Sequence, residues 1–73
     1  MNIYLVETDE YHYDEHNGFV IYANDEEQAR MICQVEDSER EIWFDQEKTK
    51  VVLLSENVEM KTRRIILKSF NAG

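Results

Sequence analysis

The sequence contains few of the residues from which catalytic loops, disulfides and metal clusters are built. Its 73 residues include two glycines, one cysteine and no proline. Phosphate-binding loops need clustered glycines, whereas Gly18 and Gly73 are far apart, and none of the three serines lies in a glycine-shaped elbow or beside a histidine. The single cysteine excludes an internal disulfide framework and a multi-cysteine zinc site, and we expect Cys33 to be a small core residue rather than a reactive thiol. We therefore predict a protein that is not an enzyme and has no cofactor.

The sequence also lacks a long apolar run. A membrane-spanning helix needs about 20 consecutive apolar residues, and no stretch of the chain approaches that length. The N-terminus has no basic start followed by an apolar segment, which a secretory signal peptide requires. A chain this short has room for one domain, residues 1–73. We expect a soluble, cytoplasmic protein that does not contact a membrane.

Basic residues are scarce, and acidic residues outnumber them. The chain has 16 acids and 8 bases, for a net charge of −8. Residues 1–60 hold all 16 acids and 4 bases, a net of −12, whereas residues 61–73 hold 4 bases and no acid. Because phosphate would be repelled, direct binding to nucleic acid or to anionic lipid is not expected. The excess of acidic residues favours a partner with a basic surface, or it serves solubility alone.

The segment 19–35 predicts a buried strand that runs directly into an amphipathic helix. Residues 19–23 are all apolar or aromatic, which is typical of a strand with both faces occupied. Asn24 is a favourable N-cap, and Glu27 can bond back to the cap amide. The helix is expected over about residues 25–36. Its apolar stripe comprises Ala29, Ile32 and Cys33, widened by Met31 and Val35.

Four further strands are predicted from alternation or from apolar runs. They span residues 2–7, 41–44, 50–54 and 63–70. The resulting order is β-β-α-β-β-β, and residues 71–73 form a short tail. The fold class is therefore α+β, with a four- to five-stranded, mostly antiparallel sheet and the helix on one face.

The stretch between the first two strands allows two geometries. Residues 11–13 either prolong the first strand into a tight turn at Asn17 and Gly18, or belong to a broad loop. Four acids in seven positions favour the loop. Histidines and carboxylates are typical metal ligands and occur together here. The sequence indicates no third strong ligand elsewhere, so no metal site is expected. The residues concerned are His12, Asp14, Glu15 and His16.

Apolar residues occur at both odd and even positions of the predicted strands, and these positions point to opposite faces of the sheet. One helix cannot cover both faces of a sheet, so one set is expected to remain for association, as in a homodimer. The set assigned to this oligomer face comprises Tyr4, Val6, Val20, Tyr22, Val52 and Leu54.

Seven acids form the predicted partner-binding surface. If the first loop lies near the helix N-terminus, these carboxylates gather at one edge and could occupy a basic nucleic-acid channel as a decoy. The seven are Asp9, Glu10, Asp14, Glu15, Asp25, Glu26 and Glu27.

The end of the chain suggests another class of function. A compact β-rich domain with a free tail is similar to the ubiquitin-like sulfur carriers, whose terminal glycine is activated. Those carriers end in two glycines, whereas Ala72 precedes Gly73 here, and this chain has one strand too many before the tail.

Several short motifs together resemble a group of small proteins encoded by bacteriophages and prophages. That group combines an IYLV start, a Y-D-E, a G-F-V-V, a D-E-E-x-A-R helix, a W-x-D-P-E-K turn and an F-N-A-G end. Gln46 stands where proline is usual, which leaves the turn less rigid. The matching residues are Ile3 to Val6, Tyr13 to Glu15, Gly18 to Val20, Asp25 to Arg30, Trp43, Asp45, Glu47, Lys48 and Phe70 to Gly73.

The resemblance implies phage origin and accessory work in an infected cell. The leading hypothesis is a non-enzymatic protein in the host cytoplasm that binds a basic surface of a host protein, such as a nuclease or a CRISPR-type defence complex. A homo-oligomeric scaffold component that uses the sheet face is one alternative. A modifier that acts through Gly73 is the other.

Overall fold

The computed structural model describes residues 1–8, 16–60 and 64–70, and they form one antiparallel sheet and one helix. The sheet order is β3-β1-β2-β4, and every neighbouring pair is antiparallel. The predicted α+β fold is confirmed with four strands. The elements are β1 (Asn2–Thr8), β2 (His16–Ala23), α1 (Glu26–Glu36), β3 (Thr49–Ser55) and β4 (Ile65–Phe70).

The hairpin of β1 and β2 does not turn at Asn17 and Gly18. Both residues lie inside β2, where Gly18 is paired with Glu7. A Cβ atom at Gly18 would lie 3.3 Å from the Val6 carbonyl oxygen, so the glycine permits the close approach of the two strands. The tight-turn alternative is therefore wrong. The connection, residues 9–15, and the tail, residues 71–73, lie outside the described residues.

The helix begins one residue later than predicted. Asp25, rather than Asn24, is the N-cap, because its Oδ1 accepts a 2.8 Å hydrogen bond from the Gln28 amide. Gln28, rather than Glu27, reaches back, and its Oε1 accepts from the Asn24 amide at 2.6 Å. The cap is thus displaced by one position along the chain, and the return bond goes to the amide before the N-cap rather than to the amide of the N-cap itself, as was predicted.

Residues 41–44 do not form the predicted strand. The Asp45 amide donates to the Ile42 carbonyl at 3.0 Å, which closes a turn. The Trp43 carbonyl accepts from Arg30 at 2.8 Å, and its indole N–H donates to Asp37 at 3.1 Å. Because the Ile42 and Trp43 carbonyls are bonded to the Asp45 amide and to Arg30, these backbone groups do not serve a sheet ladder. Ile42 and Trp43 are nevertheless buried, so their apolar character serves packing rather than strand pairing.

The core lies between α1 and one face of the sheet. Trp43 is fully buried, and its ring meets Phe19 edge to face with 5.1 Å between centroids. Ala29 and Cys33 are buried as predicted, and Ile32 packs against the same cluster. Met31 and Val35 are 50% and 74% exposed, so the apolar stripe of the helix is narrower than predicted.

Strand register corrects the composition of the predicted oligomer face. Tyr4 is paired with Ile21 and Val6 with Phe19, and all four belong to the core under the helix. Paired residues of neighbouring strands share a face, so Tyr4 and Val6 cannot belong to the open face. Val20, Tyr22 and Val52 do lie on that face, opposite the helix, together with Ile3 and Leu5. Tyr22 is buried there, at 8% exposure, so it is not exposed for association as predicted. Leu54, 52% exposed, stands where the pairing of β3 with β1 shifts.

Burial of the Cys33 thiol makes the free energy of unfolding depend on pH in the alkaline range. Burial raises the pKa of its thiol from 9.0 to about 12, and the nearby Arg30 charge opposes only part of this shift. The stabilisation by the buried, neutral thiol is complete below pH 9.0. Above pH 9.0 the thiol of the unfolded chain loses its proton, whereas the thiol of the folded chain still keeps it. The free energy of unfolding should therefore fall by up to about 1.4 kcal/mol per pH unit between pH 9 and 12. Denaturant titrations of the protein and of Cys33→Ala would measure this, and equal pH dependence in both would contradict it.

Candidate partner-binding surface

Exposed carboxylates cover the layer that packs on the sheet, which comprises α1 and the loop that leads to β3. Residues 25–48 hold nine of the 16 acids and three of the eight bases, namely Arg30, Arg40 and the exposed Lys48. We call the exposed acids of this set the acidic helix layer. They are Asp25, Glu26, Glu27, Glu36, Glu39, Glu41 and Glu47.

The first base in this segment, Arg30, points inward and holds the layer to the sheet. It is 6% exposed, and its Nη1 donates to the Trp43 carbonyl at 2.8 Å and to Thr49 Oγ1 at 2.6 Å. Its Nε donates to Glu26 at 3.1 Å. A buried guanidinium needs such partners, because an unpaired one would carry a large desolvation cost. Its charge is therefore used inside the protein.

The second base, Arg40, is also used inside the protein. Its Nε donates to Asp37 Oδ2 at 2.8 Å, and only 9% of its side chain is exposed. Its guanidinium carbon lies 5.5 Å from the Trp43 ring centroid, which is a cation–π distance. Asp37 thus bonds both Arg40 and the Trp43 indole, and this contact fixes the loop after the helix. With Arg30 and Arg40 turned inward, Lys48 is the one exposed base among seven exposed carboxylates, so the outer surface of this segment is anionic.

The predicted binding acids divide into two groups. Asp25, Glu26 and Glu27 are exposed at the start of α1, as a binding role requires. Asp25 also caps the helix and Glu26 pairs with Arg30, so two of the three already have structural tasks. The other four lie outside the described residues, so their approach to the helix start stays a prediction. They are Asp9, Glu10, Asp14 and Glu15.

The positions of the strand ends in the sheet show where the two groups of predicted binding acids are attached. The helix follows β2 at the end of the sheet where Ala23 is paired with Asn2. Thr8 and His16, the strand residues that flank the first connection, stand at the opposite end of the same hairpin. The strand ends Ala23 and Thr8, from which the two acidic groups extend, therefore stand at opposite ends of the hairpin, although the Glu26 side chain lines the same cleft as Glu7.

A polar cleft of about 550 Å³ lies between the start of α1 and the start of β3. Its charged lining consists of three carboxylates and three cations, so the charges offset one another and favour neither a metal nor an anion. No group of three or more metal-binding side chains occurs in the described part of the chain. The residues discussed as metal ligands are not among the described side chains: His12, Asp14, Glu15 and His16. The charged lining comprises Glu7, Glu26, Glu47, Arg30, Lys48 and Lys50.

Sequence reasoning missed the later half of the acidic helix layer and the role of Arg30. Glu36, Glu39, Glu41 and Glu47 were visible as charges, but the predicted strand at 41–44 placed Glu41 in the sheet and separated Glu47 from the helix. Arg30 stands between the buried Ala29 and the exposed Met31, and no pattern in the sequence marks it as an internal residue.

Comparison of the chain with protein-family models, curated proteins and solved structures finds no match. Phage origin therefore stays a prediction from the motifs. Within the described ranges, no helix is long and apolar enough to cross a membrane. The terminal Gly73, on which the modifier hypothesis depends, lies outside the described residues.

Proposed function

We propose that this chain is a non-enzymatic binding protein that presents its acidic helix layer to a basic surface of a partner protein. The observation that carries the proposal is the inward orientation of Arg30 and Arg40. Two bases in this segment would neutralise part of the anionic surface if they faced solvent. Each instead has less than a tenth of its side chain exposed, so Lys48 is the one exposed base of the segment beside seven exposed carboxylates.

Such a surface acts first through long-range attraction. Carboxylates on one layer attract a basic partner and raise the association rate at low ionic strength. Salt at physiological concentration screens charges beyond about 8 Å, so encounter should weaken as salt is added. Capture then depends on short-range contacts, for which Met31 and Val35 provide apolar area among the acids of α1.

The most concrete version of the proposal follows from the phage resemblance. A phage protein of this kind would occupy a basic groove of a host nuclease or a CRISPR-type defence complex and exclude nucleic acid from it. The enzyme would lose its substrate site without any chemistry by this chain. Competition with nucleic acid is therefore the expected mode of inhibition.

Matched charge reversals test the proposal. Glu39→Lys and Glu41→Lys alter the acidic helix layer, and Glu59→Lys makes the same charge change outside it, in the segment after β3. The tagged full-length variants are used to capture proteins from a lysate of the bacterial host at low salt. We expect a captured protein that is retained by the wild type and Glu59→Lys, weakened by each layer variant, and released by salt. Failure to retain any protein, or equal retention by all variants, would overturn the proposal.

A further inference from the structure

The outer edge of β3 has the features of a pairing site for a second copy of the chain. β3 is the first strand in the sheet order, and within the described ranges no strand pairs with its outer side. An exposed apolar edge strand is a template for strand pairing, and Leu53 and Leu54 are 43% and 52% exposed. We propose that β3 pairs antiparallel with β3 of a second copy about a two-fold axis at Val52, which joins two sheets into one of eight strands.

Backbone geometry selects the residues that can form the new ladder. Thr49 is occupied inside the protein, because its amide donates to the Asp45 carbonyl at 3.0 Å and its own carbonyl accepts from Arg30 at 3.5 Å. Its amide therefore does not serve the ladder to β1. Successive residues of an antiparallel strand alternate in the side to which their N–H and C=O groups point. Val51 and Leu53 consequently direct these groups toward the outer edge.

The register then follows from pairing these two residues with each other. With the axis at Val52, Val51 of one copy is opposite Leu53 of the other, and this pair occurs twice. Centring on Val51 would require Thr49, whose backbone groups are already bonded. Centring on Leu53 would oppose Val51 to Ser55, which lies beyond the shift in pairing with β1. The register with its axis at Val52 thus uses the outward N–H and C=O groups of both Val51 and Leu53 in hydrogen bonds between the copies.

Charge complementarity supports the same register. Residues 48–55 contain two lysines and no acid, so the edge escapes the repulsion expected between two chains of net charge −8. Exposed Lys48 and Glu56 flank the two ends of β3, so an axis at Val52 brings Lys48 of each copy toward Glu56 of the other at the ends of the ladder. Lys50 is opposite Leu54 rather than another lysine. The arrangement therefore places opposite charges at both ends of an apolar centre.

A cross-linking pair of variants tests the axis directly. Val52 would meet its own copy at a non-hydrogen-bonded position, where Cα atoms are about 4.5 Å apart and a disulfide can form. We expect Val52→Cys to form a covalent dimer under mild oxidation of the full-length protein. Val20→Cys, a half-buried valine on the same face but in an inner strand, is the matched control and should stay monomeric. Cys33 is buried in both variants.

Charge exchange at the ends of the strand tests the register. Lys48→Glu and Glu56→Lys should each raise the dimer dissociation constant roughly tenfold, because each change replaces two attractive pairs with two repulsive ones. The double variant should regain most of the affinity in sedimentation experiments. A monomer at every concentration, equal cross-linking at residues 20 and 52, or a double variant weaker than either single one would overturn the proposal. The acidic helix layer is unchanged by these variants, so partner binding can succeed or fail independently.

Discussion

Trp43→Ala is expected to lower the free energy of unfolding by about 4 kcal/mol, the typical cost of deleting a large buried aromatic side chain. The indole is fully buried, contacts Phe19 edge to face, and donates its N–H to Asp37. Alanine would leave a cavity and remove one of the two partners of Asp37, whose side chain is 10% exposed. A domain of this size has a total stability of roughly 4 to 11 kcal/mol, so the variant would lose much or all of its folded population.

Circular dichroism during urea titration is the appropriate measurement, because the variant lacks the only tryptophan. Phe44→Ala is the matched control, since this neighbouring aromatic is 51% exposed. Its effect should stay within about 1 kcal/mol. Comparable losses at the two positions would show that Trp43 does not organise the core. Trp43→Phe should fall between them, because it keeps a ring against Phe19 but loses the bond to Asp37.

Arg30→Met is expected to cost about 3 kcal/mol, because it preserves length but removes every donor from a buried network. The Trp43 carbonyl, Thr49 Oγ1 and the Thr49 carbonyl all accept hydrogen bonds from this guanidinium. These acceptors belong to the loop and β3, so the loss would loosen the attachment of the acidic helix layer to the sheet. Arg30→Lys should recover part of the stability, since an ammonium can satisfy some acceptors but cannot span all of them.

Glu26→Gln distinguishes the buried network from its exposed ion pair. The Glu26 side chain is 54% exposed, and exposed pairs contribute about 0 to 1 kcal/mol. Urea titration of Arg30→Met, Arg30→Lys and Glu26→Gln on the same scale would separate the two contributions. If Glu26→Gln were as costly as Arg30→Met, the ion pair, rather than the bonds to Trp43 and Thr49, would hold the layer in place.

The fold class and most element positions could be predicted from local pattern. Residues 19–23 appear as a strand and residues 26–36 as a helix because apolar periodicity and capping chemistry act over a few neighbouring residues. The predicted strand at 41–44 failed for a reason that no local pattern carries. Ile42 and Trp43 are buried and Phe44 is exposed, but Arg30 takes the Trp43 carbonyl and the Asp45 amide closes a turn on the Ile42 carbonyl. Apolar character predicted burial there, and burial was mistaken for strand pairing.

The candidate surface was predicted in part. The acids at the helix start are exposed as expected, whereas the inward orientation of Arg30 and Arg40 was invisible to charge counting. A sum over residues treats each base as if it neutralised its surroundings. Burial decides whether it does, because a guanidinium bonded to internal carbonyls and carboxylates contributes little to the outer surface. The anionic character of the layer is therefore stronger than composition alone suggests.

By itself, the sequence determined the α+β class, the helix and the burial of Cys33, because these depend on residue type and near-neighbour spacing. Only the tertiary structure decided which strand faces belong together. Within β1 the alternation is plain, but whether Tyr4 shares a face with Ile21 or with Val20 depends on the register between strands. A shift of one residue would exchange the two faces. The strand order makes β3 an edge, and the packing of α1 on the sheet places Arg30 beside Thr49, so the proposed partner surface and the proposed dimer edge both depend on tertiary contacts.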